Sequence, residues 1–148
     1  MKEISCCIEI NASQERVWEV LTDLRAFPRW NPLILAVNGE LRKKERLEVR
    51  LRPALGPRIT FQPVVLRIRP NRELRWQSCL LVSGLLAAEH TFAIDKIEAN
   101  RVQFTQSETF TGVLAPLLSM LGLLRSARKG FDVMNRALKA RAEGQPGG

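Results

Sequence analysis

The chain has 148 residues, of which 45% are apolar and 26% charged, and its 23 basic and 15 acidic residues give a net charge of +8 at pH 7. This length and composition are typical of one globular domain with a core of its own and exclude a largely disordered chain. No apolar run reaches the roughly 18 residues that a transmembrane helix needs. Because the first five residues also lack the apolar region of a signal peptide, we expect a cytoplasmic protein.

The first thirty residues predict one strand and two helical segments. Apolar and polar side chains alternate over residues 4–10, which is the pattern of a half-buried strand. Ser13 can cap a helix, and apolar residues at helical spacing predict that this helix runs over about 14–23. A second, short helical turn is expected over 24–27, because Pro28 prevents a longer one.

The middle of the chain predicts six strands joined by turns. Pro63 indicates an edge position or a bulge, and Val64, Leu66 and Ile68 are expected to face inward. Turns are expected at 53–57 and at Ser83–Gly84. The predicted strands cover residues 33–38, 47–52, 59–69, 74–77, 88–97 and 102–111.

The C-terminal segment predicts one long amphipathic helix over 116–142. Gly122 and Gly130 each weaken it by about 1 kcal/mol relative to Ala, which indicates a kink near Gly122 or a close approach of another backbone. Residues 144–148 are expected to form a frayed tail after a single domain over 1–143. The residues that share the apolar face are Leu117, Leu121, Leu124, Phe131, Met134 and Leu138.

The order of these elements predicts the fold class. Strands joined by short turns pair antiparallel, and helices must cover the face that carries the apolar side chains. We therefore predict an α+β fold in the order β-α-α-β6-α. A curved antiparallel sheet of about seven strands would wrap around the C-terminal helix and leave a hollow between the two.

Short motifs in this order resemble the START-like, or SRPBCC, superfamily, whose members have the helix-grip fold. The resemblance covers roughly residues 4–143 and implies an apolar ligand held between sheet and helix. Some members resemble polyketide cyclases or dehydrases, some lipid carriers and some co-chaperones, and no catalytic motif is common to them. The motifs are Ala12–Ser13, Val17–Trp18, Leu21–Asp23, Phe27–Pro32, Leu74–Trp76, His90–Phe92, Phe104–Glu108 and Met134–Asn135.

The sole histidine is predicted to lie beside a carboxylate. A three-residue loop over 98–100 would place the apolar residues of the last two strands on one face, whereas a two-residue loop would split them between opposite faces. Three readings of the His90 and Glu108 pair remain open: a structural hydrogen bond, a contact that orients a ligand, and general acid–base catalysis. The three-residue loop pairs Ile94 with Phe104, Phe92 with Gln106, and His90 with Glu108.

The predicted ligand-binding side chains are those expected to face the hollow. Phe27 and Trp30 would form a lid or plug the core, and the helical residues would form the roof. Packing in the core is the alternative for each apolar member. The candidates are Phe27, Trp30, Trp76, His90, Phe92, Phe104, Gln106, Glu108, Leu117, Leu121, Phe131 and Met134.

Three functions remain open from the sequence. The first is binding of a hydrophobic small molecule such as a lipid, a polyketide or an aromatic compound. The second is a cofactor-free enzyme, similar to a cyclase or dehydratase, that uses His90 and Glu108. The third is docking of the basic cluster, defined as the eleven Lys and Arg residues of Arg42–Arg75, on an anionic membrane or a nucleic acid. Few aromatic residues interleave with this cluster, which argues against nucleic acid as a partner, and a solvated outer face is the simpler alternative.

Several kinds of chemistry are not expected. One histidine and scattered acidic residues do not indicate a metal site. Glycine-rich phosphate-binding loops and nucleophile elbows are absent from the sequence, so no cofactor is predicted. Cys6 and Cys7 are adjacent and Cys79 stands apart, and this odd count without a CxxC spacing favours reduced thiols.

Overall fold

The computed structural model describes residues 2–53, 56–79 and 84–144. The predicted turns at 53–57 and Ser83–Gly84 and the predicted tail therefore lie partly outside the described residues. A short 3-10 turn, Leu24–Ala26, lies between the first two helices. The helices are α1 (Gln14–Thr22), α2 (Phe27–Trp30), α3 (Ala115–Met120) and α4 (Leu123–Ala142). The strands are β1 (Lys2–Ile10), β2 (Ile34–Asn38), β3 (Glu48–Leu51), β4 (Ile59–Phe61), β5 (Val64–Arg69), β6 (Glu73–Cys79), β7 (Ala87–Glu98) and β8 (Arg101–Thr111).

The strands form two antiparallel sheets around the helices, as the α+β helix-grip prediction requires. Five strands lie in the order β1-β8-β7-β6-β5 and three in the order β2-β3-β4. An isolated bridge between Arg46 and Val64 joins the sheets. The described residues thus form eight strands rather than about seven, because the predicted strand over 59–69 is interrupted at Pro63. Proline lacks the N–H that would continue the ladder, and here its carbonyl accepts a bond from the Leu47 N–H, 2.9 Å away.

The predicted inward face of β5 is partly wrong. The register of β5 against β6 shifts between Val65 and Arg67. This bulge makes Val65 the fully buried residue, whereas Leu66 is only half-buried. A bulge inserts one extra residue and so reverses the alternation that the sequence pattern assumes.

The last hairpin has the predicted register but a different turn. His90 lies opposite Glu108, and Phe92 lies opposite Gln106. The three-residue loop is wrong, because Glu98 pairs with Arg101 across a two-residue turn. A register shift between Lys96 and Glu98 restores the parity that a two-residue turn would otherwise lose.

The C-terminal segment is two helices rather than one. α3 ends at Met120, and Gly122 precedes α4 in the left-handed conformation with φ of 74°, which glycine adopts without steric cost. The break confirms the kink expected near Gly122. Because the helix is interrupted there, the side chains of α3 do not continue the apolar face of α4. Leu117 and Leu121 are consequently 44% and 61% exposed, so the prediction that they share the buried face of α4 is wrong.

Specific contacts hold α4 at its middle and at its end. In its middle, Gly130 packs so closely on the residue before β2 that an added Cβ would lie 2.8 Å from Leu33 Cδ1. At its end, the Arg16 guanidinium donates to the carbonyl oxygens of Arg141 (3.1 Å) and Ala142 (3.3 Å). A cation at this position satisfies orphan carbonyls and complements the helix dipole. These contacts fix α4 over the concave face of the five-stranded sheet.

Candidate functional site: an apolar cavity with one polar pair

A cavity of about 280 Å³ lies between the sheets and the two C-terminal helices. This volume falls just below the usual range of about 300–1,000 Å³ for small-molecule sites. The five-stranded sheet contributes one wall, with Trp76, Ser78, Ala88, His90, Glu108 and Phe110. The helices contribute Leu118, Leu123, Leu124, Ser126, Ala127 and Phe131. The third wall, from β2 to β4, consists of Leu33, Ile34, Leu51, Pro53, Ile59 and Phe61.

The third wall begins at a turn fixed by a buried asparagine. The Asn31 side-chain oxygen accepts from the N–H groups of Leu33 (2.9 Å) and Ile34 (2.8 Å). Leu33 and Ile34 both line the cavity, and they lie shortly after the end of α2. The Asx-type turn therefore sets where β2 enters the cavity wall.

The two ionisable side chains of the cavity lining lie side by side. His90 is 6% exposed, and its Nδ1 lies 3.2 Å from Glu108 Oε2. Its Nε2 lies 3.0 Å from Gln106 Oε1. The imidazole is enclosed by aromatic rings, with the Phe92 centroid at 4.4 Å and the Phe131 centroid at 4.8 Å. Packing on both sides holds the ring in one orientation beside the Glu108 carboxyl group.

A chain of buried amides continues from His90 to the backbone of β1. Gln106 Nε2 donates to Asn135 Oδ1 at 2.7 Å, and Asn135 Nδ2 donates to the Cys6 carbonyl at 3.1 Å. Both amide side chains have no exposed surface. We call the series Cys6, Asn135, Gln106, His90 and Glu108 the amide relay. It links β1, α4, β8 and β7, and its two amide side chains cannot exchange their bonds for water.

The amide relay fixes which imidazole nitrogen carries hydrogen. The Cys6 carbonyl only accepts, so Asn135 must present its amino group there and its oxygen to Gln106. Gln106 must then donate from Nε2, and the Phe131 carbonyl at 3.5 Å is a second acceptor on that side. Gln106 Oε1 consequently faces His90 Nε2, which must donate. His90 is therefore protonated at Nε2.

This tautomer determines what Nδ1 can do toward Glu108. A hydrogen bond between Nδ1 and Glu108 Oε2 needs one proton, which either partner can carry. Neutral imidazole requires a carboxylic acid, and imidazolium requires a carboxylate. In both cases the hydrogen bond between the two side chains uses one proton between Nδ1 and Oε2. Such a pair can accept a hydrogen bond from a ligand at the Glu108 carboxyl group or exchange a proton with the ligand.

Four of the twelve predicted ligand-binding residues line the cavity: Trp76, His90, Glu108 and Phe131. Phe92, Phe104, Gln106 and Met134 are buried in the core behind the lining. Phe27 is also buried and packs edge to face on Trp30, with centroids 5.3 Å apart. Leu117 and Leu121 are not in the lining, so the structure does not place them in the predicted roof. Leu118, Leu123 and Leu124 occupy that place instead.

None of the six residues of the third wall was among the predicted site residues, and neither was Asn135. The third wall comes from the separate three-stranded sheet, whose position depends on tertiary packing. The sequence did contain an indication that Asn135 is buried, because this residue lies between Met134 and Leu138 on the apolar stripe of α4. A polar residue at such a position is satisfied by a buried partner.

The basic cluster lies outside the cavity lining. Ten of its eleven members are exposed, and Arg75 is half-buried. Arg75 contacts Glu73 at 2.8 Å and Glu89 at 3.0 Å. A different group of cations lines a groove along α4, together with Cys6, Asp132 and Val133: Arg125, Arg128, Lys129 and Arg136. Burial and the neighbouring Asp132 carboxylate raise the pKa of the Cys6 thiol.

Neither a metal cluster nor a membrane-spanning helix is found in the part of the chain that the structure describes. No group of three or more His, Cys, Asp or Glu side chains there could hold a metal ion. No helix there has both the length and the apolar character needed to cross a bilayer.

The sheet that grips a C-terminal helix, with a cavity between them, defines a protein of the helix-grip, START-like class. The sequence model of the family described as polyketide cyclase / dehydrase and lipid transport matches residues 1–143. The chain belongs to this family. No curated protein matches it in a sequence search.

Solved structures share the fold at low sequence identity. The Zhui aromatase/cyclase from Streptomyces sp. R1128 is 16% identical with a TM-score of 0.78, over 96% of this chain and 93% of that one. A START superfamily protein from Mycobacterium smegmatis is 20% identical with a TM-score of 0.74, over 95% of this chain and 97% of that one. The di-domain ARO/CYC BexL from the BE-7585A biosynthetic pathway is 16% identical with a TM-score of 0.76. The match covers 97% of this chain but 47% of BexL, so the chain spans about half of that protein.

Proposed function

We propose that the protein binds a small, mostly apolar molecule in the cavity and holds one polar group of that molecule at the His90–Glu108 pair. The observation that carries the proposal is the composition of the lining, in which mostly apolar side chains surround the adjacent side chains of His90 and Glu108. Apolar pockets with a few convergent polar groups are the usual form of small-molecule sites. The family, which includes cyclases, dehydrases and lipid transport proteins, supports this class of ligand.

The cavity volume of about 280 Å³ limits the ligand to one or two rings with short substituents. A larger lipid or polyketide would have to extend through the mouth, where Ile59 and Leu123 are 47% and 39% exposed. The pair favours ligands with a hydroxyl group, because the Glu108 carboxyl group can accept a hydrogen bond that a purely apolar ligand cannot donate.

Calorimetric titration with 2-naphthol and with naphthalene tests both parts of the proposal. We expect 2-naphthol to bind at least tenfold more tightly, because one hydrogen bond to a charged or proton-sharing group is worth about 1.5–3 kcal/mol. Glu108→Gln should remove most of this preference while naphthalene binding persists. Equal affinities for the two compounds in the unmodified protein would contradict a role of the polar pair.

A filled cavity is the second test. Ala127 lines the cavity on α4, and Ala140 is exposed on the same helix. Ala127→Trp should occupy the cavity and weaken 2-naphthol binding at least tenfold. Ala140→Trp adds the same side chain away from the site and should leave binding unchanged. Unaltered binding to the folded Ala127→Trp variant would place the ligand elsewhere.

A cyclase- or dehydratase-type reaction is the second candidate, and the single shared proton of His90 and Glu108 favours it. In this case Glu108 would take a proton from the carbon next to the substrate carbonyl group and return it to the departing hydroxyl group, which leaves as water, while His90 holds the Glu108 carboxyl group in place. The assay measures the loss of water from a β-hydroxy ketone that carries an aryl group. Glu108→Gln and His90→Gln should abolish turnover while the fold and 2-naphthol binding to at least one variant persist. Retained turnover in both variants would exclude this reaction.

A further inference from the structure

The mouth of the cavity is bordered by an apolar surface that the core does not use. Nine large apolar side chains are exposed among the described residues, and five of them fall within 113–123, a segment without any charged residue. Met120 is the most exposed, at 81%. We call these five residues the apolar tip: Val113 (72%), Leu117 (44%), Met120 (81%), Leu121 (61%) and Leu123 (39%).

The apolar tip is continuous with the cavity. Leu123 is exposed and also lines the cavity, and Leu118, on the inner side of α3, is a second lining residue. Ile59, which is 47% exposed, lines the cavity from β4. Two exposed apolar side chains, Leu123 and Ile59, are therefore also part of the cavity lining. Large exposed apolar patches of this kind mark interaction sites in soluble proteins.

Positive charge lies directly beside the apolar tip. Arg125, Arg128 and Lys129 are exposed on the first turns of α4 and line one groove. Asp132, the acidic residue of that groove, is engaged by Arg136. An apolar edge with a cationic flank is the arrangement by which peripheral proteins bind anionic bilayers, where the apolar side chains enter the interface and the cations meet the headgroups.

We propose that the apolar tip inserts into the interface of an anionic bilayer, with Arg125, Arg128 and Lys129 at the lipid headgroups. This docking would set the cavity mouth against the membrane, so that an apolar ligand exchanges without crossing water. The docking does not depend on which ligand the cavity holds. A second copy of the chain is the less favourable occupant, because a two-fold contact would bring both sets of three cations together in a chain that carries a charge of +8.

Co-sedimentation with vesicles tests the docking. We expect the protein to bind vesicles of phosphatidylcholine and phosphatidylserine at least tenfold more tightly than vesicles of phosphatidylcholine alone, with affinity falling as salt rises. Met120→Ser combined with Leu121→Ser should weaken binding at least tenfold. Ile97→Ser, which changes an apolar residue that is 40% exposed at the opposite hairpin, is the matched control and should have no effect. All of these positions are exposed, so the variants should retain the unmodified thermal midpoint.

Two sets of charge-removing substitutions distinguish the cations on α4 from the basic cluster. Arg125→Gln, Arg128→Gln and Lys129→Gln together should abolish the preference for phosphatidylserine. Removing three exposed charges of the basic cluster with Lys43→Gln, Arg50→Gln and Arg69→Gln should leave it intact. The proposal is overturned if the unmodified protein ignores phosphatidylserine vesicles or if the serine variants bind them unchanged. It is equally overturned if the apolar tip proves to mediate self-association that those variants abolish.

Discussion

Replacement of Gln106 by Leu tests the amide relay at its centre. Gln106 is completely buried and joins His90 to Asn135 through bonds of 3.0 and 2.7 Å. Leu has a similar volume but leaves the His90 Nε2–H and the Asn135 oxygen without partners. Each buried orphan costs about 1–3 kcal/mol. We therefore expect the free energy of unfolding to fall by about 2–5 kcal/mol, measured by urea denaturation.

Gln103→Leu is the matched control for this loss. Gln103 lies on the same strand but is exposed, so the same substitution should change the unfolding free energy by about 0.5 kcal/mol or less. A double-mutant cycle with Asn135→Leu isolates the Gln106–Asn135 bond. The two substitutions should be non-additive by about 1–3 kcal/mol, because the second removes an oxygen that the first has already orphaned.

The tautomer of His90 can be measured directly, and it tests the amide relay independently of stability. The chain has one histidine, so its side-chain nitrogen resonances are unambiguous in an ¹⁵N spectrum. The amide relay requires a proton at Nε2 in the unmodified protein, and Gln106→Leu should release this constraint. Additive stability losses, or an imidazole that carries hydrogen at Nδ1 alone in the unmodified protein, would refute the reasoning.

Three further substitutions have defined expectations. Gly112→Ala should lower the unfolding free energy by more than about 2 kcal/mol, because the residue has φ of 107° and the new Cβ would lie 2.4 Å from the Leu85 carbonyl oxygen. Gly130→Ala should change stability by no more than about 1 kcal/mol, since the gain in helix propensity offsets the displacement of Leu33, but should weaken 2-naphthol binding because Leu33 lines the cavity. Glu143→Gln should reduce stability at neutral pH in urea titrations and have less effect in acid. Burial opposes ionisation of Glu143, but the Asn11 N–H at 2.7 Å and Lys139 hold its pKa below the ordinary value.

The sign for Glu143 follows from linkage. A carboxyl group with a lowered folded-state pKa stabilises the protein above its unfolded pKa and loses that contribution as pH falls through the folded pKa. The stability curves of the unmodified protein and Glu143→Gln should therefore converge as the pH falls through the lowered pKa of Glu143. Parallel curves over the whole range would contradict this role.

Gly56→Ala is the control for Gly112→Ala. Gly56 has φ of 100° but no atom within 4 Å of an added Cβ, so only backbone strain remains.

The sequence predicted the features that depend on periodicity. Alternation along β7 and β8 predicted that His90 and Glu108 share a face, because the buried face admits only one parity. Their pairing was predicted from a three-residue loop, and it holds because the register shift between Lys96 and Glu98 compensates for the shorter turn. The stripe of Phe131, Met134 and Leu138 likewise predicted the buried face of α4. Both predictions rest on side chains within one element or one hairpin.

The sequence could not predict the features that depend on where a helix breaks or on packing between segments far apart in the chain. Extending the α4 stripe through Gly122 placed Leu117 and Leu121 inward, but the left-handed glycine resets the helical phase. The third wall required the position of the three-stranded sheet, which local patterns do not contain. The amide relay was also out of reach, since it combines β1, β8 and α4 at Cys6, Gln106 and Asn135.

Crystallography of the protein as purified, soaked with 2-naphthol, most directly tests the central claim that the cavity holds an apolar molecule by its polar group. We expect electron density between Ala127 and His90, with the hydroxyl oxygen within about 3.2 Å of Glu108. A cavity closed by the side chains of Leu118 and Leu124, or density for the naphthol only on the outer surface, would contradict the claim.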